Sequence, residues 1–497
     1  MLFNSIQYVF FLPIMVIVYY LIPANKYRNI WLLIGSYYFY MRWNAAYALL
    51  LLTATLVTYI GGLVLTELKN RQQDKYQKTC LVVCLAINLG ILCLFKYLNM
   101  FVSYMNKLLT AMHLPNLSLA WHLILPVGIS FFTLQAIGYL IDVYRNDIPA
   151  EKNFITYALF ISFFPQLAEG PIERSKNLLV QLKSLKKFEY QYFQKGLLWI
   201  LYGLMVKMVI ADNLSVFVGK VFGDPVTYPG WYLVAGAFAF TMQIYCDFYG
   251  YSIIAMGSAY LFGIKLVSNF ESPYYSKSIK EFWRRWHISL STWFRDYLYI
   301  PLGGNKKGSV RRDINLLIVF LVSGLWHGAS IAFVFWGLLN GIYQIIGNIL
   351  NKAKKRLGID TAQKKTLFCR RLLNTVCTFV LVAFTWIPFR AGTWTETKKI
   401  VYHMVTKLNN YGIISFKNLF GLWEMMPAKM AYGVFIGLII LAVVDYQKYH
   451  KMSVVDKILA QELWFRYAIC ISLVLFILNC GCYGEAYNPA SFIYFQF

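Results

Sequence analysis

Stretches of about twenty apolar residues recur from one end of this chain to the other, and they leave it few ways to fold. That length lets an α-helix cross the hydrocarbon of a bilayer. Inside hydrocarbon every backbone N–H and C=O must be satisfied, and a helix does this within its own segment. Spans are expected at 6–22, 45–65, 80–101, 126–144, 196–210, 231–262, 372–389, 432–444 and 465–479, with 315–350 forming two spans or one kinked pair. Residues 231–262 are long enough for a helix, a break at Gln243–Asp247 and a second half-helix. The predicted fold is all-α: a polytopic integral membrane protein of about 11 transmembrane helices, with re-entrant and interfacial helices around a central funnel or tunnel. One polytopic domain covers 1–497.

Charge sorts the remaining classes. The chain carries a net charge of +25, yet only 14% of its residues are charged and 59% are hydrophobic. The cations lie mainly in short segments between spans, as in 352–371. That pattern matches cytoplasmic loops and anionic lipid headgroups, not a nucleic-acid groove. Lys26 and Arg28 follow the first span and predict an N-terminus outside the cytoplasm. Residues 103–123, with His113 and His122, read as a weakly patterned connection. The nine cysteines form neither a zinc-ligand spacing nor a disulfide framework.

Polar residues inside apolar runs are expensive and therefore informative. Two of the six histidines, His287 and His327, fall within the segment 281–337. His327 sits among Trp326 and the small residues Ser323, Gly324, Gly328, Ala329 and Ser330. Those small residues serve a slender ligand and close helix packing equally well. If 281–297 is one helix, Arg284, His287, Ser291 and Arg295 share a face opposite Phe282, Trp286, Leu290, Trp293 and Tyr297. Such a basic, Trp-rich amphipathic helix suits a membrane surface. Glu169 follows a short apolar run, beside the helix breakers Pro165, Gly170 and Pro171. It reads equally as a cavity residue or a capped helix end. Asp247 interrupts the 231–262 run and is expected to be a buried acid paired to a base.

Several strings here resemble the membrane-bound O-acyltransferase family, in particular the branch of the bacterial alginate O-acetylation membrane protein. They are "EFWRRWHISLSTWFRDYLYIPLGGN", "FLVSGLWHGASIAFVFWG", "PVGISFFTLQAIGYLIDVYR", "FFPQLAEGPIERSKNLLVQL", "QIYCDFYGYSIIAMGSAYLFGI", "NFESPYY" and the closing "FIYFQF". They cover 126–497, whereas 1–125 matches only in hydropathy. The family's "HG" near the end of the second string is replaced by Asn340–Gly341.

The resemblance implies acyl transfer from a thioester to a hydroxyl. This chemistry needs a base for the hydroxyl and stabilisation of the oxyanion. His327 is expected to be the base or acceptor-orienting residue, and His287 to position the donor or polarise its carbonyl. Arg284, Arg285, Ser291, Arg295, Trp326, Asp247 and Glu169 are candidate donor-binding or supporting residues. The resemblance further implies acetyl-CoA as cytosolic donor, no metal and no permanently bound cofactor. It implies a polysaccharide acceptor, an extracytoplasmic partner of the SGNH-esterase type, and a place in the bacterial inner membrane. The alternatives are D-alanyl transfer to teichoic acid from a carrier-protein thioester, a long-chain lipid acyltransferase, and a transporter or flippase without acyl chemistry.

Overall fold

A computed structural model describes residues 1–118, 125–357, 368–408 and 425–483. His122, residues 358–367 of the basic 352–371 loop and the closing FIYFQF string lie outside them. The described residues are helical throughout, with no strand. Seven helices are long and apolar enough to cross a membrane: Tyr47–Asn70, Asp74–Ala111, Tyr190–Gly223, Ile331–Lys354, Phe368–Ala391, Ala428–Tyr449 and Leu463–Cys480. Ile6–Leu21 and Ile129–Tyr144 are shorter apolar helices.

The chain divides into two compact units. The first comprises Met1–Leu197 and Ile254–Val267, and the second Leu198–Ile253 and Ser268–Phe497. In the first unit, α1 (Ile6–Leu21) starts where the Ser5 side chain accepts from Tyr8 N, a standard N-cap. It is followed by α2 (Asn25–Met41), α3 (Tyr47–Asn70), α4 (Asp74–Ala111), α5 (Ile129–Tyr144), α6 (Phe154–Ser162), α7 (Phe164–Leu167) and α8 (Ser175–Leu182). The helix α4 continues through 103–111, which the weak patterning had assigned to a connection. Lacking Gly or Pro after Gly90, this stretch offers nothing to stop a helix already running. Polar groups inside this unit are tied to backbone and to one another. Gln135 and Gln166 both donate to Phe160 O, and Tyr157 donates to Thr58 Oγ1 at 2.6 Å. Gly128, at φ +74°, begins α5 where an added Cβ would stand 2.3 Å from Leu167 O. Only glycine fits that turn cheaply.

The second unit takes most of its core from later segments. Helix α9 (Tyr190–Leu204) passes into a π-helical turn, Met205–Ala211, and then α10 (Asp212–Gly223). A π-turn inserts one residue into the helical ladder and often marks a functional or strained position. Here it carries Lys207, whose Nζ lies 2.6 Å from Asp212 Oδ1 and 2.5 Å from Asp247 Oδ1, all three side chains buried. Asp247 is thus the paired acid expected. Its helix α11 (Gly230–Tyr260) is continuous, so the break predicted at Gln243–Asp247 does not occur. The physical reason is that Asp247 meets its counter-charge through its side chain and leaves its backbone hydrogen bonds intact.

Beyond it come α12 (Ile279–Arg285), α13 (Ile288–Phe294), α14 (Gly308–His327), α15 (Ile331–Arg356), α16 (Phe368–Ala391), α17 (Trp394–Thr406), α18 (Ala428–Tyr449), α19 (Val454–Leu459) and α20 (Leu463–Cys480). Helices α14 and α15 pack as a helical pair over the segment 315–350, and of the two α15 is long and apolar enough to cross a membrane. A Cβ on Gly324 would stand 2.3 Å from Phe333 O, and one on Gly337 2.3 Å from Phe320 O. At Gly324, therefore, the small-residue pattern serves close helix packing.

Candidate functional site

The sequence predicted one amphipathic helix over 281–297, and the structure corrects this. An N-cap starts α12: the Ser278 side chain accepts from Glu281 N, and Glu281 Oε2 accepts from Lys277 N, just before the cap, at 3.0 Å. The helix stops at Arg285. Trp286 is extended and His287 adopts the left-handed conformation, φ +44° and ψ +55°, before α13 begins. Such a conformation costs an L-residue about 1–2 kcal/mol. A π-turn, Arg295–Tyr299, continues from α13.

The kink changes where the side chains go. Phe282, Trp286, Leu290 and Trp293 are core residues, not a lipid-facing stripe, and His287 is 1% exposed. The aromatic face predicted to lie in the interface is buried because the kink turns it against Phe270, Tyr274 and Trp386. His287 stands edge-on to Phe248, ring centroids 4.7 Å apart. Burial among these rings penalises the imidazolium and pushes its pKa down to about 3. His287 is therefore a neutral imidazole near pH 7.

His327 ends α14, where Gly328 takes an extended conformation and breaks the helix. It is also buried, and its ring is enclosed by Trp326 at 4.8 Å, Trp336 at 5.0 Å and Phe389 at 5.3 Å. Trp326 joins the two histidines, for its centroid lies 6.3 Å from that of His287. Residues forty positions apart thus both neighbour one indole.

Beside them lies a cavity of about 820 Å³. Its lining includes Ile288, which follows His287, and Ser323, one helical turn before His327. Four cations line it, Lys280, Arg284, Arg295 and Arg312, and no acid does. Arg295 binds Asp296 and Arg312 binds Asp313 outside the lining. Ser291 also lines the cavity with Arg284 and Arg295, whereas His287, expected on the same face, is not in the lining. Arg285 is engaged elsewhere, donating to Glu281 and to Glu271 O and lying 4.6 Å over the Tyr449 ring. The "PLGGN" string forms a turn with Gly303 and Gly304 at positive φ. Asn315 pins it by donating to Leu302 O and Gly304 O. Among the described residues no cluster of His, Cys, Asp or Glu could hold a metal, and the cysteines are free thiols.

Glu169 belongs to the first unit, buried after α7. The acid that sequence reasoning passed over is Glu173. It is 1% exposed and accepts from Asn177 at 2.7 Å and from Val267 N. Burial pushes its carboxyl up to about 7, against hydrogen bonds that favour the anion. Lys207 was missed too. Its apolar neighbours hid it, and a lone lysine within an apolar run was the available signal.

Residues 149–383 match the model of the membrane-bound O-acyltransferase family. The chain is 40% identical over 394 residues to the probable alginate O-acetylase AlgI of Pseudomonas putida, covering 79% of this chain and 77% of that one. The chain belongs to the membrane-bound O-acyltransferase family. It is also 34% identical to the peptidoglycan O-acetyltransferase of Helicobacter pylori, over 82% of this chain and 80% of that one. The teichoic acid D-alanyltransferase of Bacillus subtilis is 27% identical, over 53% of this chain and 68% of the relative. As a member of this family the protein is a multi-pass membrane O-acyltransferase, which sets aside the reading as a transporter without acyl chemistry.

Proposed function

We propose that this enzyme is an O-acetyltransferase that takes acetyl from a cytosolic thioester, acetyl-CoA, and delivers it across the membrane for O-acetylation of an exported polysaccharide. One observation carries the reading: two buried histidines share Trp326, beside a cavity whose charged lining is wholly cationic. The coenzyme's phosphates would lie against Arg284, Arg295, Arg312 and Lys280, where guanidinium groups offer paired donors to phosphate oxygens.

The acceptor hydroxyl oxygen attacks the thioester carbonyl carbon. The new C–O bond forms as the C–S bond breaks. His327 takes the hydroxyl proton and passes it to the departing thiolate. His287, held neutral by its aromatic surroundings, orients the donor or polarises its carbonyl. The aromatic shell excludes water that would otherwise hydrolyse the thioester. The acceptor is an SGNH-type extracytoplasmic partner or the polysaccharide itself. The enzyme sits in the bacterial inner membrane with its N-terminus outside.

The alginate and peptidoglycan relatives support acetyl as the group moved, and the more distant teichoic acid relative keeps D-alanyl transfer as the second reading. Ester analysis of exported polymers from a deletion strain, with and without the wild-type gene, separates them. Acetyl ester lost on deletion and restored by the gene is the expected result. Loss of D-alanyl ester with acetyl unchanged would overturn the acetyl reading in favour of the second.

A further inference from the structure

We propose that Asn269 is a positioning residue that sets the His287 imidazole for acyl transfer. The inference rests on the reading above, in which His287 takes part in the reaction.

The starting point is the backbone. His287 holds φ +44° and ψ +55°, a left-handed conformation between two short helices. A residue of this kind persists only where its surroundings over-determine it. The two residues that follow it are both bound by Asn269. Ile288 N donates to Asn269 O at 2.9 Å, and the Ser289 hydroxyl donates to Asn269 Oδ1 at 2.6 Å. The remaining polar group of the amide, Nδ2, donates to Ser252 Oγ at 3.1 Å on α11. Asn269 is fully buried, and Ser252 and Ser289 nearly so. The same helix α11 supplies Phe248, whose ring meets the His287 imidazole edge-on.

Asn269 therefore ties the start of α13 to the helix that carries the ring against which His287 packs. Its side-chain amide suits this task, with an acceptor for one serine and a donor for the other. Removing the side chain leaves the bond from Ile288 N to Asn269 O but releases Ser289 and Ser252, which lets the start of α13 shift and tilts the imidazole away from Phe248 and Trp326. A displacement of about 1 Å at a reacting group is enough to cost about 100-fold in rate. Asn269 lies outside the lining of the basic cavity, whose cations Lys280, Arg284 and Arg312 come from α12 and α14, which its hydrogen bonds do not reach. Donor binding should thus survive while turnover falls.

The test measures initial rates of acetyl transfer from acetyl-CoA in membrane vesicles of the native strain carrying wild type, Asn269→Ala, Asn269→Asp, Ser289→Ala or His287→Ala. Membrane level and thermal midpoint are followed in parallel. Asn269→Ala should lower kcat by about 100-fold with the acetyl-CoA KM within about twofold. Asn269→Asp should recover most of kcat, because its carboxylate accepts from both serine hydroxyls. Ser289→Ala, the milder change, should lower kcat with KM unmoved, and it carries the test if Asn269→Ala does not accumulate. Unchanged kcat in a folded Asn269→Ala or Ser289→Ala protein, while His287→Ala is inactive, would overturn the positioning role. Full kcat in His287→Ala would overturn the reading beneath it, and the inference with it.

Discussion

Two buried clusters in the second unit treat ionisable groups in opposite ways. At the π-turn, Lys207 faces Asp212 and Asp247 at 2.6 and 2.5 Å, an ion triad fully inside the protein. At the kink between α12 and α13, His287 is packed against Phe248 and Trp326, and burial keeps it neutral. The triad holds its charges by pairing them, which fixes three segments of backbone. The histidine gives up its charge and, with its pKa pushed down to about 3, is a hydrogen-bonding group and not a base near pH 7. A neutral imidazole in a ring-lined site can orient or polarise a bound carbonyl, whereas a lysine clamped by two carboxylates is poorly placed to do so. The contrast gives the triad a clear architectural role, and the chemistry proposed for the histidines fits their different surroundings.

The comparison breaks first at Lys207. Lys207→Met leaves two carboxylates buried without their cation, at a cost of about 3–5 kcal/mol. The variant should be nearly absent from membranes by immunoblot, and adding Asp212→Asn and Asp247→Asn should restore much of its level. Normal abundance of Lys207→Met with lost activity would instead move the triad into the catalytic apparatus.

A smaller effect is expected at the cavity wall. Arg284→Ala removes a charge-assisted contact to phosphate, about 1.5–3 kcal/mol. The acetyl-CoA KM should rise by about 10- to 100-fold with kcat unchanged. A fall in kcat alone would place Arg284 at the reacting centre.

A separate effect is in pH dependence, and it is small only near neutral pH. The folded pKa of His287, about 3, lies below its ordinary 6.5. Below pH 6.5 the unfolded chain takes up a proton that the folded protein refuses, so this contribution to stability is lost as pH falls from 6.5 towards 3. Glu173 has the opposite sign. Its folded value, about 7, lies above 4.5, so its contribution is full below pH 4.5 and is lost as pH rises towards 7. Thermal midpoints should show His287→Asn losing less than wild type on acidification, and Glu173→Gln gaining on wild type between pH 4.5 and 7. Parallel profiles would contradict these burial assignments.

The helical membrane fold was legible because apolar length alone decides it. Helix ends were less so. The kink at His287 has no Gly or Pro to announce it. The buried packing of Trp286 and Phe282 creates it, and packing of that kind is tertiary information. Likewise Asp247 looked like a helix breaker because its partner Lys207 lies forty residues earlier. The histidines, Arg284, Ser291 and Arg295 were legible as rare polar groups in a patterned segment, and the structure places the last three on one cavity. Arg285 shares their composition and even their helix, but its direction depends on Glu271, Glu281 and Tyr449. Asn269 opens the "NFESPYY" string, but nothing in that string shows its role, which lies in three hydrogen bonds made across the fold.

The most direct test of the central claim is the acetyl ester content of exported polysaccharide in a deletion strain complemented with wild type, His327→Ala or His287→Ala at matched membrane levels. The account predicts that His327→Ala falls at least about 100-fold, to the level of the deletion strain, and that His287→Ala falls with it. Wild-type acetylation by His327→Ala would contradict the account and remove this pair of histidines from the chemistry.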